Sequence, residues 1–293
     1  MPIRNVSDTA RWVAVYRAME TERSDAIFHD PFARRLAGER GERIVDELRR
    51  GRESAWAMIV RTAVFDEVIL DVIRNGGATH VINLAAGLDA RPWRLSLPPS
   101  LHWIDVDLPA ILEYKAEVIG DARPHCRYEA VPADLTDPAA RAALLARLGE
   151  EAAGGQALVV TEGLLIYLTP EQVGALARDL HAVPPLRWWL IDLATPDLLR
   201  MLSRDWGSTL ERGNAPFLFA PAEGPAFFRR FGWREREFRS ALDEARRLRR
   251  EMRGMWLWRL IGRLSSVQRR ERMRRMSGFV LLERVDDGGA RAR

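Results

Sequence analysis

The 293-residue chain contains one cysteine and one lysine. A single cysteine, Cys126, excludes an internal disulfide and a metal site built from several thiolates. No run of 18 apolar residues is present, and residues 1–8 are polar, without the apolar core of a signal peptide. These absences predict a cytoplasmic protein with no stable membrane insertion and no metal cofactor.

Because Lys115 is the only lysine, almost all of the positive charge is arginine. Between residues 229 and 275, 17 arginines against 6 acidic residues leave a charge of +11, whereas the whole chain carries +4. Such a segment could bind nucleic acid or a membrane surface. The alternative, which we favour, is a solvated helical face that pairs with the acidic remainder of the protein.

Within this basic segment, residues 255–261 (Met-Trp-Leu-Trp-Arg-Leu-Ile) are apolar on nearly all sides. They could cover a hydrophobic ligand or touch a membrane surface. Packing against other helices of the chain, or against the partner in a homodimer, is the structural alternative.

Helical periodicity dominates the residues before the first strand, with apolar side chains spaced by three and four. The predicted helices are residues 9–19, 32–36, 44–50 and 55–73, the last being long and amphipathic. Asn75-Gly76-Gly77 ends that helix. We expect residues 1–77 to form a helical cap or lid, followed by a larger domain, residues 78–293.

In the larger domain, strands alternate with helices at intervals of about 25 to 30 residues, which is typical of a doubly wound, Rossmann-like α/β sheet. The predicted strands are residues 79–84, 101–107, 127–133, 157–163 and 186–194, and the predicted helices are residues 110–119, 138–148 and 170–181. Residues 234–239 and 277–285 are predicted to pair as an antiparallel edge, with a basic helical insertion at about 240–275.

The turn after the first strand indicates a nucleotide-like ligand. Small residues at Ala85, Ala86 and Gly87 let the backbone approach a ligand, and Asp107, about 20 residues on, can accept hydrogen bonds from ribose. A nicotinamide dinucleotide site prefers three glycines where this turn has one, and Asp89 would repel a pyrophosphate. The turn therefore favours a donor without phosphate, such as S-adenosylmethionine, over a nicotinamide oxidoreductase.

Residues 84–91, Leu-Ala-Ala-Gly-Leu-Asp-Ala-Arg, resemble the Leu-Gly-Ala-Gly-Leu-Asp-Thr-Arg motif of the leucine carboxyl methyltransferase family. That family includes bacterial O-methyltransferases associated with polyketide pathways. Further matching segments follow in the same order as in the family. They are Thr9-Ala10 with Tyr16-Arg17-Ala18, His29-Asp30-Pro31-Phe32, Arg61-Thr62, residues 105–109, residues 133–135 and residues 162–169.

The resemblance implies a class I methyltransferase fold and S-adenosylmethionine-dependent O-methylation of a carboxylate or hydroxyl on a small, polyketide-like molecule. It also implies roles for individual residues. Arg61 would bind the methionine carboxylate, Gly87 would line the donor beside Ala85, and Asp107 would hold the ribose. Asp134 and Leu135 would flank the adenine, and Glu162 would lie beside the donor near Tyr167, a candidate catalytic residue. For the basic residue of the N-terminal motif, Arg17 fits first and Arg11 second.

Several of these residues have a structural alternative. Arg61 could be a surface residue of its helix, Asp134 a cap of the next helix, and Tyr167 a core aromatic. Ala85 replaces the family's glycine, so we expect it to avoid a positive φ. A carboxylate acceptor needs no general base, whereas a phenol or alcohol does, and His29 is the candidate for that role.

Overall fold

The computed structural model describes residues 6–48, 51–212, 216–252, 254–255 and 266–285. The helices are α1 (Val6–Thr21), α2 (Ala33–Glu47), α3 (Ala55–Asp71), α4 (Arg91–Arg94), α5 (Pro109–Ile119), α6 (Pro138–Glu151), α7 (Pro170–His181), α8 (Pro196–Arg212), α9 (Ala241–Arg247) and α10 (Val267–Arg274). The strands are β1 (His80–Leu84), β2 (His102–Asp107), β3 (Arg127–Pro132), β4 (Ala157–Thr161), β5 (Leu186–Ala194), β6 (Trp233–Ser240) and β7 (Ser277–Arg284).

The seven strands form one sheet in the order β3-β2-β1-β4-β5-β7-β6. The first five are parallel, and β7 runs antiparallel to both β5 and β6. The order reverses direction between β1 and β4, where doubly wound sheets bind their ligands beyond the carboxyl ends of the strands. The predicted α/β class and the antiparallel C-terminal pair are both confirmed.

The helices before the sheet differ in detail from the prediction. The two short helices predicted at 32–36 and 44–50 are the halves of α2, which bends at Gly38, where φ is +58°. Helix α3 is buried on most sides rather than amphipathic. Its Val64 and Phe65 pack with strand residues, whereas its Ile59 packs with α1 and α2. Helix α3 therefore joins the lid to the sheet.

The described part of the basic segment forms ion pairs with acidic residues elsewhere in the chain. Arg250 bonds to buried Glu20 of α1, and Arg239 and Arg247 both bond to Glu67 of α3. These contacts support the structural interpretation of the segment. Residues 256–261, for which ligand, membrane and packing roles were considered, lie outside the described residues.

Across the described residues, no helix is both long and apolar enough to cross a membrane. Helix α8, which was not predicted, follows β5 directly along the chain.

Candidate functional site

The turn after β1 is built from two residues with left-handed backbone. Ala85 has φ of +54° and Gly87 has φ of +53°. The expectation that Ala85 avoids a positive φ is therefore wrong, and the chain accepts the strain of an alanine there, which is worth about 1–2 kcal/mol. A Cβ at Gly87 would lie 3.1 Å from the Cβ of Ala10, so helix α1 rests directly on the turn.

Asp107, at the end of β2, ties this turn to the neighbouring strand. One carboxylate oxygen accepts the N–H of Gly87 at 2.6 Å, and the other accepts the N–H of Leu108 at 2.7 Å. Burial raises the pKa of Asp107 above its ordinary value, and the two backbone hydrogen bonds oppose that rise.

Asp105, two residues earlier, belongs to the interior. Its carboxylate is fully buried and ion-pairs with Lys115. It also accepts hydrogen bonds from Asn83 at 3.1 Å, Trp103 at 2.8 Å and Tyr128 at 3.0 Å. Four donors use up its acceptor positions, so Asp107 is the acid at this strand end that can face a ligand.

Arg61 of α3 and Glu162 after β4, which the resemblance assigns to the donor site, are in contact. Nε of Arg61 lies 3.0 Å from Oε1 of Glu162, and its Nη1 lies 3.2 Å from Oδ2 of Asp192. Burial disfavours the charge on Arg61, but Asp192 and Glu162 outweigh it and hold its pKa above the usual value. The surface alternative for Arg61 is wrong, because the residue is 8% exposed.

Asp192, near the end of β5, was not among the predicted site residues. Its Oδ1 accepts the N–H of Gly163 at 2.7 Å, and Gly163 has φ of +70°. A Cβ on Gly163 would lie 2.9 Å from Nη1 of Arg61. The β4 turn and the arginine are therefore fitted to each other. A carboxylate at the end of a predicted strand was the feature that could have identified Asp192.

A second arginine, Arg91, contacts three of the acidic residues around the site. Arg91 of α4 reaches Glu162 at 2.8 Å, Asp89 at 2.7 Å and Asp66 at 2.6 Å. Burial disfavours ionisation of Asp89, but Arg91 and Lys115 dominate and lower its pKa well below the ordinary value. Since Asp89 is paired with Arg91, it is not the free charge that would repel a pyrophosphate.

Arg17 connects the lid to the turn. Its Nε donates to Asp30 at 2.8 Å, and its Nη2 donates to the carbonyl oxygen of Leu88 at 2.6 Å. Arg17 therefore lies beside the turn after β1 and braces α1 against it. His29, the neighbour of Asp30, is exposed and has no hydrogen bond with a described residue.

Tyr167 lies between the lid and the β4 turn. Its hydroxyl is hydrogen-bonded to Thr9 of α1, and its ring centroid is 5.7 Å from that of Phe217. Burial raises the pKa of Tyr167, while Thr9 and Arg61 partly oppose that rise. The phenol is therefore neutral near pH 7 and suited to packing and hydrogen bonding.

Asp134 and Leu135 follow β3. Asp134 is exposed, and its Oδ1 accepts from the backbone N–H and the hydroxyl of Thr136 at 2.8 and 2.6 Å. The cap of α6 is Asp137 instead, which accepts from the N–H of Ala139. The capping alternative for Asp134 is therefore wrong. Leu135 is partly buried against the core beneath the sheet.

A sheet of this order, with polar and charged groups at the carboxyl ends of β1, β2, β4 and β5, has the architecture of class I methyltransferases. The family model described as leucine carboxyl methyltransferase matches residues 10–181, more than half of the chain. The chain belongs to the leucine carboxyl methyltransferase family, as the resemblance implied.

Two relatives are described as candidate S-adenosyl-L-methionine-dependent methyltransferases. One, from Streptomyces coelicolor, is 38% identical over 175 residues, covering 56% of this chain and 60% of the relative. The other, from Parafrankia, is 35% identical over 186 residues, covering 59% and 58%. The chain thus spans about three-fifths of the curated relatives it matches. A crystal structure described as a candidate methyltransferase from Thermobifida fusca aligns with a TM-score of 0.60 at 13% identity, covering 98% of this chain and 97% of that one, which confirms the fold.

Proposed function

We propose that this protein is an S-adenosyl-L-methionine-dependent O-methyltransferase that acts on a small molecule. The observation that carries the proposal is the meeting of a tight turn, a ligand-facing carboxylate and a buried arginine at the carboxyl ends of adjacent strands. Family membership and the names of the relatives support the same donor.

The residues at the strand ends fit this donor. A carboxylate offers about four acceptor positions, and the two oxygens of Asp107 each use one for a backbone N–H. The remaining positions can accept the two ribose hydroxyls. Nη2 of Arg61 forms no hydrogen bond with any described residue, so it can donate to the methionine carboxylate.

When bound, the donor supplies a sulfonium methyl group to a nucleophile that approaches in line. The chain itself orients the reactants and excludes water. Helix α1 rests on Gly87, and Thr9 of that helix is hydrogen-bonded to Tyr167. We propose that this helix covers the donor and that Tyr167 lines the acceptor side. Glu162, held between Arg61 and Arg91, places negative charge near the sulfonium.

Within this proposal, we favour an acceptor that is already an anion, such as a carboxylic acid of polyketide type. The chain has five histidines. His80 and His102 begin β1 and β2 at the far end of the sheet, His125 contacts the carbonyl of Leu95, and His181 ends α7. His29 is exposed. Since a carboxylate needs no general base, this distribution suits ester formation better than methylation of an alcohol.

Calorimetric titration with S-adenosylhomocysteine and with NAD tests the donor assignment. We expect binding of the first and none of the second. Asp107→Asn should weaken S-adenosylhomocysteine by on the order of 1–3 kcal/mol, or about 5- to 150-fold, whereas the exposed Asp121→Asn should change nothing. Binding of NAD, or only salt-sensitive binding to DNA or anionic vesicles, would refute the assignment.

Transfer of a radiolabelled methyl group to pools of carboxylic acids and phenols tests the acceptor class. A methyl ester releases volatile methanol under mild alkali, whereas a methyl ether does not. Label that is released by alkali supports a carboxylate acceptor. Label that resists alkali would assign a hydroxyl acceptor and require a base.

A further inference from the structure

The opposite end of the sheet carries a cluster of potential metal ligands. His102 begins β2, Glu129 lies in β3 and Glu151 ends α6, and one ligand atom from each lies within 4.8 Å of the others. His102 and Asp107 are five residues apart on β2, a separation of roughly 16 Å at the ordinary rise of a strand. The cluster is therefore distinct from the donor site.

His102 is the residue that marks this cluster as more than a group of acids. It is 3% exposed, and neither of its ring nitrogens has a hydrogen-bond partner among the described residues. A buried polar atom without a hydrogen-bond partner is destabilising, so such atoms are uncommon without a ligand. Nε2 of His102 lies 3.4 Å from Oε2 of Glu129, without the geometry of a hydrogen bond.

The spacing and chemistry of the three groups suit zinc. Zinc binds nitrogen and oxygen ligands at about 2.0–2.2 Å in tetrahedral geometry, which separates the ligand atoms by about 3.4 Å. The pair of His102 and Glu129 already has that separation.

Arg147 of α6 currently balances the two acids. It ion-pairs with Glu129 and with Glu151, and its side chain is 41% exposed. A cation entering the cluster would replace this guanidinium, which can turn outward into solvent. Because Arg147 contacts Oε1 of Glu129, Oε2 of the same carboxylate remains beside His102.

We propose that His102, Glu129 and Glu151 form a zinc site at the amino-terminal end of β2 and β3, with Arg147 as the group that zinc displaces. Three protein ligands leave the fourth position to water. The site would brace α6 against the edge of the sheet. This proposal does not depend on the proposed methyltransferase activity.

Calorimetric titration of the full chain, free of any histidine tag, with zinc chloride tests the site. We expect one ion per chain, and tetrahedral absorption bands when cobalt(II) replaces zinc. Glu129→Gln should weaken zinc by at least about tenfold, whereas Glu150→Gln, an exposed neighbour of Glu151 on α6, should have no effect. Arg147→Met should tighten binding, because the competing cation is gone.

The thermal midpoint gives an independent measurement. Zinc should raise it in the natural chain and in Glu150→Gln, and should raise it much less at the same zinc concentration in Glu129→Gln. Equal zinc binding by the two glutamine variants would show that the ion binds elsewhere and would overturn the proposal. So would the absence of binding to the natural chain, even if Arg147→Met acquired it.

Discussion

Gly163 offers the sharpest test of how Arg61 is positioned. The residue has φ of +70°, and a Cβ there would lie 2.9 Å from Nη1 of Arg61. The backbone at Gly163 is held by its bond to Asp192, so the guanidinium has to move. That movement breaks the 3.2 Å contact between Nη1 and Asp192 and turns Nη2 away from the donor.

Gly154 is a matched control for the backbone strain. Its φ is +82°, and a Cβ there meets no atom within 4 Å. Alanine at either position destabilises the folded state by about 1–2 kcal/mol, because the backbone there is left-handed. The smaller conformational freedom of alanine in the unfolded chain offsets part of this cost. Gly154→Ala should therefore lose about 1 kcal/mol of stability, measured by urea unfolding, and Gly163→Ala should lose more, because it also breaks the contact between Arg61 and Asp192.

The two variants should differ in donor binding. Gly163→Ala should weaken S-adenosylhomocysteine by about 10- to 150-fold, the loss of one hydrogen bond to a charged group, about 1.5–3 kcal/mol. Gly154→Ala should bind as the natural chain does. If a folded Gly163→Ala protein keeps full affinity, Arg61 does not hold the donor carboxylate, and the assignment carried over from the family is wrong.

Three further predictions follow from the same contacts. Ala85→Gly should stabilise the chain by up to about 1 kcal/mol in urea unfolding, because φ is +54°, whereas Ala86→Gly should destabilise it. Burial raises the pKa of Asp107, so its carboxylate is lost at a higher pH than that of an ordinary aspartate, and donor affinity should fall correspondingly early on acidification. Burial of Glu283 is outweighed by Arg234 and Arg187, which lower its pKa; the stability lost in Glu283→Gln should be greatest near pH 7, shrink as the pH falls below about 4.3, the pKa of an unfolded glutamate, and vanish only below the lowered pKa of the folded carboxyl.

The sequence was sufficient to predict the sheet because its evidence is local. Apolar strands separated by helical stretches gave the five parallel strands within a residue or two, and Gly87 with Asp107 marked the turn and the strand end that meet. Parallel strands place their carboxyl ends on one edge, so chain order alone brings these residues together.

Partners that are distant in the chain could not be predicted in the same way. Arg61 meets Asp192 across 131 positions of sequence, and Arg17 meets the carbonyl of Leu88 across 71. The helical spacing of α3 did not predict that Arg61 is buried, because the acidic residues that pair with it come from β5 and from the turn after β4. The folded turn imposes a positive φ on Ala85, although alanine itself disfavours that conformation.

The pairing of charges explains why Asp105 and Asp107 have different roles although both lie near the end of β2. Buried acids and bases alternate across the sheet, so each charge that leaves water is met by an opposite charge or by hydrogen-bond donors. In order, this chain of contacts is Lys115, Asp105, Asn83, Asp89, Arg91, Glu162, Arg61 and Asp192. Asp107 lies outside that chain, bound only by two backbone N–H groups among the described residues. An acid that is not needed to balance an interior charge keeps its remaining acceptor positions for a ligand. Exchanging the roles of Asp105 and Asp107 would therefore leave interior charges unbalanced and remove the acceptor positions that the site offers a ligand.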